Sequence, residues 1–241
     1  MKKCATRFLA LTLALMCALT TLCLGTSATE ISPRYTGISL LDANIDISTR
    51  QQCNEIIQQN SDLLLKLIDD VVDLSSLEIG KMQFQFGNSD AVAICRNVVD
   101  TVEKIKQTSA SVLFQTSLEN LEIYTDEARL QQLLINLLIN ATKFTTEGSI
   151  TLSLEKQSEE VALFAVSDTG CGIAPEKQGA IFNRFEKLNE NAQGSGLGLS
   201  ICQLIVERFG GKIWIDPEYK NGSRFLFTHP IVSTSRKEVS E

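Results

Sequence analysis

The sequence predicts an α+β fold led by a long helix, and three observations carry that prediction. Residues 49–79 repeat their apolar positions at steps of four and three. From residue 81 to about 232, short strand-like stretches alternate with helical ones, and hairpins and helices segregate along the chain. Glycines stand where segments should stop, at Gly80 and at the Gly210–Gly211 pair. With 241 residues, 44% of them hydrophobic, the chain can bury a core and divide into one or two domains.

The N-terminal elements come first. Lys2, Lys3 and Arg7 precede the uncharged apolar run Phe8–Leu24 and then small residues up to Ala28. Residues 1–28 therefore read as a secretory signal peptide or, since the run is near the lower length limit of a span, as an uncleaved membrane anchor. Residues 29–48, with Pro33 and Gly37 and no clear period, read as a linker. Residues 49–80 read as a dimerisation helix, because Cys53, Ile57, Asn60, Leu64, Leu67, Val71 and Leu74 form a heptad seam. Ile56, Leu63 and Val72 add a second stripe, which suits a helix buried between others. Beyond Gly80 the patterns predict strands at Met82–Phe86, Ser111–Gln115 and Leu121–Tyr124, with a helix at Ala91–Ile105. Asp126 can cap a helix running to Phe144. A hairpin of Ser149–Leu154 and Val161–Val166 should come next, then a glycine-bearing loop, a helix at Gly198–Phe209, and strands near Lys212–Ile215 and Ser223–His229. The polar residues 233–241 are expected to be a disordered tail.

Composition narrows the partners. A net charge of −7, with 29 acidic against 22 basic residues, offers no footprint for nucleic acid. The seven cysteines show no CxxC spacing, and Cys53, Cys95, Cys171 and Cys202 are scattered as reduced thiols would be.

Chemistry-bearing residues fall in three places. Asn136, Asn140 and Lys143 share one face of their helix, where an amide oxygen suits Mg²⁺ and a lysine suits phosphate, although such a stripe is also an ordinary solvated face. Asp168-Thr169-Gly170-Cys171-Gly172-Ile173 ends an apolar strand with a carboxylate able to accept from an amino group on a base, beside glycines that let backbone pass closely. Gly194-Ser195-Gly196-Leu197-Gly198-Leu199 opens a helix whose exposed N–H groups favour phosphate. No GxxxxGK[ST] occurs, and these glycines come after a loop, which excludes both a P-loop and a dinucleotide fingerprint.

In order and wording these motifs resemble the histidine-kinase ATPase domain of the GHKL superfamily, over about residues 49–231. Asn136 to Phe144 resembles the N box, Asp168 to Gly172 the first glycine box, Phe182 to Phe185 the F box, Gly194 to Leu199 the second glycine box, and Gly222-Ser-Arg-Phe the closing strand. The resemblance implies a two-layer α/β sandwich of the Bergerat ATP-binding type over residues 81–232. It implies that Asn140 coordinates Mg²⁺, Lys143 meets the phosphates, Asp168 reads the adenine amino group, and Gly194, Gly196 and Gly198 form the lid. It extends the nucleotide site to Phe144, Gly170, Gly172, Ile173, Phe182, Phe185, Ser195, Leu197 and Leu199. Hydrolysing relatives carry Glu at the position of Asn136, and an amide is no general base, so the resemblance implies a kinase of two-component signalling.

Residues 49–80, ending Val-Asp-Leu-Ser-Ser-Leu-Glu-Ile-Gly, resemble the second helix of the family's dimerisation and phosphoacceptor hairpin, which makes that domain partial here. The acceptor histidine expected just upstream is absent from residues 29–48, and the sole histidine, His229, falls in the last strand. The expected function is therefore ATP- and Mg²⁺-dependent phosphoryl transfer to a histidine of another chain. The alternatives are a non-catalytic nucleotide-binding regulatory module or a dimerisation protein. Expected partners are ATP, a second copy through the 49–80 helix, and a His-containing kinase or response regulator. ATP use places the domain in the cytoplasm on a membrane-associated chain, which conflicts with a leader that would export the residues after it.

Overall fold

The computed structural model describes residues 47–186 and 195–231. The leader, almost all of the linker, the tail and Gly194 lie outside the described residues. The chain divides into two compact units between Asp62 and Leu63. Helix α1 (Ile47–Glu78) contributes to both and, within the second, buries Leu74 and Leu77 in the core. It stops as the glycine predicted, since Gly80 takes φ +64° and the N–H groups of Lys81 and Met82 both reach Ser76 O at 2.9 Å.

The expected strand at Met82–Phe86 does not form. The Gln85 N–H is given to the Asp126 carboxylate at 2.7 Å rather than to a ladder, and Phe84 packs edge-on against Phe209 at 5.9 Å. Pairing begins one residue later, where β1 (Gly87–Asp90) runs antiparallel to β3 (Glu122–Thr125). Helix α2 (Ala91–Ile105) starts at Asp90, whose carboxylate caps Val92 N at 3.0 Å and also accepts from Leu121 N at 2.9 Å. One side chain thus starts a helix and anchors the return strand.

The main sheet has five strands in the order β2-β4-β5-β7-β6. β2 (Ser111–Gln115) lies parallel to β4 (Ser149–Lys156), which forms the predicted antiparallel hairpin with β5 (Val161–Asp168). β7 (Arg224–Pro230) pairs antiparallel with both β5 and β6 (Ile213–Ile215). Alternate residues Ile150, Leu152, Leu154, Phe164, Phe225 and Phe227 are buried, and Phe164 stacks on its cross-strand partner Phe227 at 4.6 Å. α2, α3 (Glu127–Phe144) and α5 (Gly198–Phe209) supply the facing layer, so the fold is the two-layer α/β sandwich. A one-turn helix α4 (Pro175–Gln178) interrupts the long loop after β5.

Candidate nucleotide site

α3 sorts its residues by face. Leu130, Leu133, Leu134, Leu137, Leu138 and Ala141 are buried against the sheet. Asn136, Asn140 and Lys143 stand beside that stripe and line a cavity of about 600 Å³. Helical spacing brought the three polar groups together, and burial of the neighbouring stripe fixed which way they point.

Asp168, at the end of β5, is 4% exposed and lines the same cavity. Its Oδ1 accepts from Gly170 N at 2.8 Å and from Ser223 N at 3.2 Å. Burial pushes its pKa above the usual carboxylate range, opposed by those bonds and by the Ser223 and Thr145 hydroxyls; the buried Thr145 oxygen has no well-formed bond of its own. Glycines build this corner. A Cβ on Gly170 would lie 2.2 Å from Phe144 O, and one on Gly222, at φ +136°, would lie 2.1 Å from Asp168 O. Gly170 therefore serves backbone packing at the end of α3 and does not itself line the cavity, whereas Gly172 and Ile173 do.

The glycine-rich cluster supplies a further part of the wall. Ser195, Gly196, Gly198 and Leu199 line the cavity, while Leu197 is wholly buried with its N–H bonded to Ser195 Oγ at 3.1 Å. Gly196, at φ +71°, presses on Phe185, whose N–H reaches Gly196 O at 3.0 Å. Phe185 itself takes φ +60° and is 60% exposed. Phe144 lines the cavity, whereas Phe182 packs edge-on against Phe225 at 6.4 Å and neither Phe182 nor the exposed Phe185 lines it.

Sequence reasoning missed Ser223, Phe225 and Cys171, which line the cavity, and also Lys66 and Asp70 of α1. Ser223 carried a signal, since it comes directly after Gly222 in a recognised motif. Lys66 and Asp70 carried none, because helix periodicity does not tell which turn meets a distant loop. The cavity thus offers a buried carboxylate acceptor, the apolar side chains Ile139, Ile173 and Phe225, the lysines Lys66, Lys143 and Lys177, and the N-terminus of α5. That set matches a flat amino-bearing heterocycle joined to a polyanion.

Residues 125–233 match the histidine kinase-, DNA gyrase B- and HSP90-like ATPase family. The chain is 32% identical to the catalytic domain of histidine kinase ThkA, with a TM-score of 0.55, covering 62% of this chain and all of that one. It belongs to this ATPase family, in the histidine-kinase branch. Another relative is the circadian input-output histidine kinase CikA of Synechococcus elongatus, 34% identical over 72% of this chain and 24% of its own length. Full-length ShkA in complex with AMPPNP superposes with a TM-score of 0.68 at 27% identity, covering 80% of this chain and 41% of that one. The chain spans between 12% and 50% of the length of the curated relatives it matches.

Proposed function

We propose that this chain binds Mg²⁺-ATP in the α3–α5 cavity and uses it as a histidine-kinase-type phosphotransferase of two-component signalling. The observation that carries this reading is the convergence of Asp168, Asn140 with Lys143, and the α5 N-terminus on one cavity. Asp168 accepts the adenine amino group, Ile139, Ile173 and Phe225 sandwich the ring, and Lys143, Ser195 and Gly198 face the phosphates. The residues fit Mg²⁺ as a site completed by nucleotide. Among the described residues no cluster of three acidic, histidine or cysteine side chains could hold a metal alone, and Mg²⁺ commonly takes one or two protein oxygens beside phosphates. Asn140 is the ligand in this proposal, and the ion would neutralise phosphate charge. Asn136, where a hydrolase would need a carboxylate, leaves water unactivated.

The phosphoryl acceptor would be a histidine of another chain, because the sole histidine is 1% exposed inside the sheet. ThkA has been crystallised in complex with its response regulator protein TrrA; a response regulator is accordingly a proposed downstream partner. Self-association through α1 is supported by its exposed Leu64, Leu65, Ile68 and Val72. No described helix is long and apolar enough to cross a membrane. Residues 1–28 are proposed as the membrane element and the ATP-binding domain as cytoplasmic; alkaline phosphatase fused after Glu241 would be active if that domain were exported.

Titration with Mg²⁺-ATP tests the reading. A hundredfold excess over Kd should stabilise the chain by about 2.7 kcal/mol. A melting curve that responds to neither nucleotide nor Mg²⁺ sinks it. The buried His229 also favours the second reading, a nucleotide-binding module without catalysis. Mixing with a His-containing kinase hairpin and labelled ATP separates the two: label on the hairpin supports transfer, binding alone supports the module.

A further inference from the structure

Asp70 lies in α1, one turn after Lys66, yet it is 7% exposed and lines the nucleotide cavity. Its Oδ2 accepts from Ser195 Oγ at 2.7 Å, and the same Ser195 oxygen accepts from Leu197 N at 3.1 Å, immediately before the first turn of α5. Through Ser195 a carboxylate is therefore linked to the residue that caps a twelve-residue helix, an end where unpaired N–H groups and the macrodipole favour an anion. Its charge is felt within α5 as well, since the buried Cys202 thiol of that helix is pushed up to about 12, first by burial and also by Asp70.

We propose that Asp70 is an internal anion that occupies the phosphate side of the site in the nucleotide-free chain, and that its bond to Ser195 and the binding of a polyphosphate exclude each other. The inference rests on the nucleotide reading above and adds the element that senses occupancy. Two anions cannot share one helix end and one serine donor without mutual repulsion. Polyphosphate entry then frees Asp70 from Ser195 and loosens α1 from the glycine-rich segment. Adenosine, which lacks phosphates, leaves the contact in place. By reciprocity, any event that pulls α1 away raises affinity for ATP without changing affinity for adenosine.

The test compares ATP and adenosine binding to the full chain and to Asp70→Asn, which keeps the shape and removes the charge. If the contact is about nine-tenths populated, the variant should bind ATP about tenfold more tightly, while adenosine affinity stays the same and reports that the variant is folded. Unchanged or weaker ATP binding, with adenosine retained, overturns the proposal; weaker binding seen only with Mg²⁺ would make Asp70 a metal ligand instead. A wild type that binds neither compound refutes the nucleotide reading rather than this one. Hydrogen exchange on the wild type decides the matter should the variant not fold. ATP should speed exchange in the helical turns around Asp70 and adenosine should not, and ATP-induced protection there rules the exclusion out.

Discussion

Asp168 is held in tension between binding and stability. Its pKa is raised in the folded chain, so the folded state prefers the proton, and the burdened charged form is present at pH values above the folded pKa. Asp168→Asn should therefore raise the melting temperature of the nucleotide-free chain at neutral pH. The gain should shrink as pH falls through the folded pKa, where the wild-type group becomes neutral as well. On the proposed nucleotide reading, the same substitution removes an acceptor for the adenine amino group, and losing a bond to a charged partner, about 1.5–3 kcal/mol, should weaken ATP by tenfold or more. Paired melting curves and titrations over pH check both halves; a variant that is both less stable and unimpaired in binding refutes the assignment. His229 is the opposite case. Its Nδ1 donates to Pro230 O at 2.8 Å and its Nε2 accepts from Thr125 Oγ at 3.0 Å, while burial pushes its pKa below the ordinary 6.5. The unfolded chain thus takes up a proton first on acidification, and stability should fall as pH drops below 6.5. His229→Gln should flatten that decline, leave ATP affinity unchanged, and abolish no acid-labile phosphohistidine, because none forms there. Phosphate recovered on His229 would contradict the structural role.

At the scale of elements, the site is a junction of ends: the C-terminal part of α3, the end of β5, the start of α5 and the turn before β7. Gly222 ties two of these together, with φ +136° and no room for a Cβ beside Asp168 O. Gly222→Ala should destabilise the chain by about 1–3 kcal/mol and weaken ATP as well, since relief of the clash must move Asp168. Denaturant unfolding and titration of this variant give the two numbers, and a stable variant with normal affinity would mean that the turn adapts without Asp168. The failed strand at Met82–Phe86 belongs to this scale too. Its alternation was legible, but alternation reports which side chains are buried and not whether the backbone has a partner. Asp126 took the Gln85 N–H that a ladder would have used, and Phe84 packs its ring on Phe209.

For the whole molecule, the nucleotide domain and the helix that leads into it are coupled through side chains 125 residues apart, Asp70 and Ser195. Asp73 adds a bond from Gln132 at 2.7 Å and an ion pair with Arg129 at 3.5 Å, so α1 is also tied to the start of α3. The opposite, apolar side of α1 remains exposed at Leu64 and Ile68. Ile68→Glu should weaken self-association about tenfold or more in sedimentation while leaving the adenosine affinity intact. A chain that is monomeric before the substitution removes the dimerisation helix from the proposal.

The sequence by itself determined the local chemistry: the heptad helix and its glycine stop, the caps at Asp126 and the αL glycine at Gly210, the hairpin from β4 to β5, and the polar face of Asn136, Asn140 and Lys143. These are legible because each depends on residues within one or two turns of one another, where spacing alone sets direction. Only the tertiary structure decided that Gly170 and Gly222 serve backbone packing, that the Phe182 and Phe185 rings stay outside the cavity, and that Asp70 enters it. Those outcomes depend on which surfaces meet across long stretches of chain, and that is set by the summed burial of the core rather than by any local pattern.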